Sequence, residues 1–279
     1  MFSLPESIIF YMAMNPLSSE FHQNLLQCCK YFFIKNSIIN YHCLLFDDND
    51  GWKTCFNDSC YLEEREYRKI ELNLDTIHSR IRIWDVLKIC SSNSSMATSL
   101  ISKLYNGDFT CLRLKNQKIS FNQLLLFSPN VRSLILVKCS VFYENGDEVP
   151  GETVLKNFTN LEAFTFFLCP DTVVNCSNTA KELLQIPQFK TLGLFTFKGL
   201  SEAFDIDTFF NQYLKGNKIT RVALLFTNSI PEAYKEKLQA ITDEILDDES
   251  PRPYYIPHIH FDGQLRQDEI ANLFFGLTE

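Results

Sequence analysis

The sequence predicts an α/β fold, a solenoid of alternating strands and helices behind a short all-α N-terminal head. Three observations predict it. An apolar-x-x-apolar-x-apolar template recurs along residues 109–264. Stretches with helical spacing separate its copies. Two short amphipathic segments precede it within residues 1–46.

The head comes first. Ser3-x-x-Glu6 is a capping-box pattern, in which hydroxyl and carboxylate satisfy each other's backbone N–H groups. Pro5 is tolerated in a first helical turn because its missing N–H would have no helical partner there. Leu4, Ile8, Ile9 and Met12 form one apolar stripe. Asn15-Pro16 ends the helix, since the residue before proline is pushed out of the α region. A second helix is predicted after Ser18 or Ser19, with Phe21, Leu25, Cys28/Cys29 and Phe32 at helical spacing. Two such helices leave an apolar face in search of cover.

Leu4-Pro5-x-x-Ile8-Ile9-x-x-Met12, followed by Leu25-x-x-Cys28-Cys29-Lys30-x-Phe32, resembles an F-box. The wording is similar to the large, divergent F-box-like families of nematodes, with Ser7, Cys28 and Phe32 departing from the usual pattern. The resemblance implies docking on a Skp-type adaptor of a cullin–RING ubiquitin ligase through Leu4, Pro5, Ile8, Ile9, Met12, Leu25, Cys29, Lys30 and Phe32. Apolar anchors on a helix entering a partner's groove suit that role. The alternative is that the helices only cap the first repeat of a solenoid, as such folds require, in a ligase-independent interaction scaffold.

Residues 47–108 read as a linker and an atypical first repeat. Asp47-Asp48-Asn49-Asp50-Gly51 has turn composition. Residues 69–74 and 81–84 look extended, and 93–104 look helical.

The body spans 109–279. Val131-x-x-Leu134-x-Leu136-x-x-Cys139 and Leu161-x-x-Phe164-x-Phe166-x-x-Cys169 fit the template fully. Looser copies begin at Phe109, Phe189, Ile219 and Ile256. Helical spacing marks 119–127, 152–158, 180–186, 207–214 and 231–246. Strand and helix alternating at this interval is an irregular leucine-rich-repeat-like pattern. The x positions within its strands would line one open face. On the expected register, Val137, Phe167, Phe195 and Leu225 stand side by side there. A contiguous apolar patch of that kind marks a partner surface, so these four residues are the candidate anchors for a target protein. Cover by the chain's own residues 43–66 is the competing expectation.

Composition narrows the function. The chain carries 26 basic and 34 acidic residues, a formal charge of −8. It lacks the basic surface that phosphate tracking needs, so a nucleic-acid partner is not expected. No run of about 20 apolar residues suggests a membrane span, and no basic n-region suggests a signal peptide. The ten cysteines are scattered through apolar runs, which predicts ordinary thiols in a reducing cytoplasm or nucleus. Four N-x-S/T sequons are then incidental. His258-x-His260-x-Asp262 puts three metal-capable side chains on one strand face, but a fourth ligand is missing. Cys43, Cys55 and Cys60 lack the paired C-x-x-C spacing of a zinc site. No metal, no cofactor and no catalytic residue is expected, because no nucleophile or phosphate-binding motif is present. Together with these absences, the F-box resemblance implies a non-catalytic, substrate-recruiting subunit of the ligase.

Overall fold

The structure is a computed structural model of the 279-residue chain. It describes residues 5–14, 21, 24–25, 38–55, 70–127, 130–168, 176–248 and 252–276. These form two compact units, residues 1–131 and 132–279.

The first unit opens with helix α1 (Glu6–Met14), whose first turn is closed by the Pro5 carbonyl accepting from the Ile8 and Ile9 amides. Phe21, Asn24 and Leu25 are also helical. Strands β1 (Ile38–Asp47) and β2 (Gly51–Cys55) make an antiparallel hairpin, and Gly51 at φ +69° supplies the left-handed conformation its turn needs. Strand β3 (Ile70–Leu72) adds antiparallel to β2. Strand β4 (Arg80–Cys90) pairs parallel with β1, shifting register between Tyr41 and Cys43. After helix α2 (Met96–Ile101), strands β5 (Leu104–Gly107) and β6 (Cys111–Lys115) pair parallel with successive halves of β4. The short strand β7 (Lys118–Ser120) and helix α3 (Phe121–Phe127) close the unit. Its sheet order is β6–β4–β1–β2–β3.

Alternation explains β4: Ile81, Ile83, Leu87 and Ile89 are fully buried and Asp85 is buried on the same face, while Arg82, Trp84, Val86 and Lys88 are half-buried. Gln117, at the polar end of the first template copy, is buried. Its amide donates to the carbonyls of Asn93 and Lys115 at 3.1 Å, and its oxygen accepts from the Ala97 amide at 2.9 Å. One side chain thus satisfies the backbone of two turns.

The second unit is an all-parallel sheet in the order β13–β12–β11–β10–β8, with a helix after most strands. Strand β8 (Ser133–Val137) and short β9 (Ser140–Phe142) lead to helix α4 (Gly151–Asn157). Strand β10 (Ala163–Phe167), helix α5 (Thr179–Gln185), strand β11 (Leu194–Leu200) and helix α6 (Ile206–Gln212) follow. Strand β12 (Arg221–Phe226), helix α7 (Glu232–Asp247), strand β13 (His258–His260) and helix α8 (Gln267–Phe275) complete it. Leu134, Leu136, Phe164, Phe166, Phe195, Phe197, Val222 and Leu224 are buried on one sheet face. Rings from the helical layer reach them: Phe189 meets Phe195 at 4.9 Å and Tyr213 at 4.8 Å. A Cβ on Gly151 would come within 3.1 Å of Phe166 and 3.2 Å of Phe197, so glycine lets α4 approach the sheet closely. Burial of each such ring contributes about 1.5–3 kcal/mol, beside the aliphatic side chains packed with it.

The expected leucine-rich-repeat-like solenoid behind an all-α head is corrected. The chain is a mixed α/β fold with eleven strands in large, mostly parallel β-structure and eight helices among the described residues, and it has no all-α N-terminal head. The segment read as that head, 1–46, contains all of β1 but its last residue, Asp47. Its run Ile38-Ile39-Asn40-Tyr41-His42-Cys43-Leu44 is rich in β-branched and aromatic residues, and both its edges find backbone partners. The antiparallel β1–β2–β3 edge is the second departure from a purely repeated unit.

Candidate protein-interaction site

The outer face of the second unit's sheet carries the expected target-binding residues, with one correction. Its upper row runs Val137, Phe167, Lys198, Leu225, His260 along neighbouring strands. Phe195 is not in that row. It pairs with Phe164 and Val222 on the inner face and is fully buried. The physical reason is a three-residue offset. Pro187 starts a 3-10 turn over Pro187–Thr191, so the extended segment begins at Leu194. The copy that matches its neighbours is Leu192-x-x-Phe195-x-Phe197-x-x-Leu200, all four apolar residues buried. That pattern was available in the sequence, masked by the competing Phe189-x-x-Leu192.

Lys198 therefore occupies the place expected of Phe195. Its ammonium lies 5.3 Å over the Phe167 ring, a cation–π contact on the exposed side of the sheet. The row below it runs Ile135, Thr165, Thr196, Ala223, His258. Neither row contains a carboxylate. Among the described residues α8 reaches this face at its β13 end, where the His258 ring stacks on Phe274 at 5.4 Å. Burial, and next the neighbouring His260, hold His258 below the ordinary imidazole value, so it faces Phe274 neutral at physiological pH.

The adaptor-binding expectation falls partly on α1. Pro5 and Ile8 are exposed, Ile8 by 45%, and Ile9, Met12 and Leu25 are half-buried. Phe10 and Tyr11 are exposed as well, a signal the F-box pattern does not carry. Leu4, Cys29, Lys30 and Phe32 lie outside the described residues.

The remaining polar groups do not converge on a metal. The His258 and His260 rings are 6.1 Å apart, but Asp262 turns to Lys235 at 3.6 Å. No group of three or more His, Cys, Asp or Glu among the described residues could hold an ion. Cys90, Cys111, Cys139 and Cys176 form no disulfide, whereas Cys43 is disulfide-bonded, which corrects the expectation of thiols at that position. In the first unit His42 Nε2 stands 3.3 Å from Asp85 Oδ2, and the Thr110 hydroxyl donates to Asp85 Oδ1 at 2.7 Å. That hydroxyl is directed at the carboxylate rather than at the imidazole, which is not the geometry of an activated nucleophile. No helix among the described residues is long and apolar enough to cross a membrane.

No known family, curated protein or solved structure matches the chain.

Proposed function

We propose that this chain is a non-catalytic, substrate-recruiting subunit of a cullin–RING ubiquitin ligase. Its N-terminal helices take a Skp-type adaptor, and the outer face of the second unit's sheet takes a target protein. The observation that supports this reading most is α1 itself. It holds Ile8, Phe10 and Tyr11 toward solvent within a segment that resembles the opening half of an F-box. Large apolar side chains gathered on one short exposed helix mark a docking surface. For the target, Val137, Phe167 and Leu225 offer a half-buried apolar row, and Lys198 adds a cation to it.

The ligase places the chain in the cytoplasm or nucleus. The Cys43 disulfide runs against a reducing compartment. The half-burial of Ile9 and Met12 favours the second reading, a ligase-independent scaffold whose N-terminal helices act as a cap.

Co-expression of the full chain with a Skp-type adaptor, followed by affinity purification, tests the first reading. The wild type is expected to retain the adaptor, and Leu4→Asp with Ile8→Asp to lose at least about tenfold of it, roughly 1.4 kcal/mol, with an unchanged circular dichroism spectrum. A wild-type chain that retains no Skp-type adaptor ends this proposal.

A further inference from the structure

The second unit contains a cleft of about 550 Å³ between the start of β12, the run into β13 and the C-terminal end of α8. That volume lies in the range that admits a small organic ligand. Tyr254, Tyr255, Phe274 and Phe275 supply aromatic walls, and Arg221 and Arg252 supply cations. No carboxylate lines the cleft. Neither guanidinium lies within ion-pair distance of a carboxylate among the described residues, although the chain carries a formal charge of −8.

Both guanidiniums are fixed by backbone carbonyls. Arg221 Nη2 donates to the Phe274 carbonyl at 2.7 Å, and its guanidinium lies 4.9 Å from the centre of the Phe274 ring. Arg252 donates from Nε and Nη2 to the Ile245 and Leu246 carbonyls, each at 3.1 Å, which caps the end of α7. Each arginine has five N–H donors, so each keeps donors beyond those bonds. Burial and the Asp248 carboxylate push Tyr254 up to about 12, so its phenol stays neutral beside an incoming anion.

We propose that this cleft binds a carboxylate attached to a flat apolar body. The carboxylate engages the guanidiniums and the body lies against the rings. Two sources share that chemistry, a free organic acid and the C-terminal carboxylate of a polypeptide. The site stands apart from the adaptor reading and needs no adaptor.

Isothermal titration of the full chain with phenylacetate and with phenylacetamide separates charge from shape. A second pair, the peptide Gly-Gly-Leu-Phe as free acid and as C-terminal amide, separates the sources. Phenylacetate is expected to bind and its amide to bind at least about tenfold more weakly. Arg221→Gln is expected to remove that preference, and Tyr255→Ala, a half-exposed wall, to weaken binding severalfold without touching a charge. A free-acid peptide that binds more tightly than phenylacetate, with its amide losing the gain, assigns a polypeptide terminus. Binding of phenylacetate alone assigns a free organic acid. Equal binding of acid and amide, no binding of either acid up to about 10 mM, or an Arg221→Gln variant that keeps the preference would overturn the proposal.

Discussion

Phe195 and Phe167 stand on neighbouring strands and on opposite faces of one sheet, and their truncations should cost very different amounts. Phe195 is fully buried, with ring contacts to Phe164 at 6.0 Å, Phe189 at 4.9 Å and Phe197 at 6.1 Å. Removing it leaves a cavity that the surrounding rings cannot fill, so Phe195→Ala should destabilise by about 3–5 kcal/mol. Phe167 is half-buried on the outer face beneath Lys198, and Phe167→Ala should cost about 1 kcal/mol. Urea unfolding of both variants measures the difference. Equal costs would mean that the register of β11 is not the one described. The same register makes Phe167, Lys198 and Leu225 the residues whose substitution should change target capture, and it removes Phe195 from that set.

At the scale of an element, one residue of β11 interrupts a parallel ladder. Lys198 pairs with Leu225, but Leu200 pairs with Phe226, so Gly199 is the extra residue of a bulge. Gly199 adopts φ +92°, and a Cβ there would meet the Leu168 Cβ at 3.0 Å. Backbone conformation and space therefore both disfavour a side chain. Gly199→Ala is expected to destabilise by about 1–3 kcal/mol and to loosen Leu200, whose carbonyl accepts from the Thr227 amide at 2.9 Å. Amide hydrogen exchange at Thr227 reads the second effect. A variant with wild-type stability and unchanged Thr227 protection would show that the bulge does not depend on glycine. Helix α7 needs no such special residue. Leu238, Ile241 and Ile245 recur at helical spacing and are buried, and Pro231 stands at its start.

For the whole molecule, much of the alternation was readable and its exceptions were not. Leu134-x-Leu136 and Phe164-x-Phe166 alternate buried and half-buried positions, and Val222-x-Leu224 likewise lies in a strand with both members buried, although Ala223 between them is buried too. The segment 187–200 offered two overlapping fits of one template, and only tertiary packing chose between them. Ile219 looked like the first apolar position of a repeat and is 58% exposed, because Thr220 holds the buried place and accepts from the Tyr213 hydroxyl at 2.7 Å. The cleft beside Arg221 and Arg252 was invisible in the sequence, since the residues that line it are separated by more than thirty positions at Arg221 and drawn from three elements. The N-terminal region was misread for a different reason. Helical spacing ended near Phe32, and nothing local showed that 38–47 would pair on both edges.

That doubly paired strand has a consequence for how the polypeptide matures. The β1–β2 turn spans only Asp48–Asp50, so this hairpin can close soon after Cys55 emerges from the ribosome. The other edge of β1 waits for β4, which starts at Arg80. Pairing with a more distant segment is the slower event, and until it occurs a row of backbone donors and acceptors stays open to other nascent chains. Pulse-labelling during refolding should find Lys53 protected before Arg82 and Lys88, whose amides face β1; simultaneous or reversed protection would refute that order. A chaperone that shields nascent strands would have its moment of greatest use in that interval.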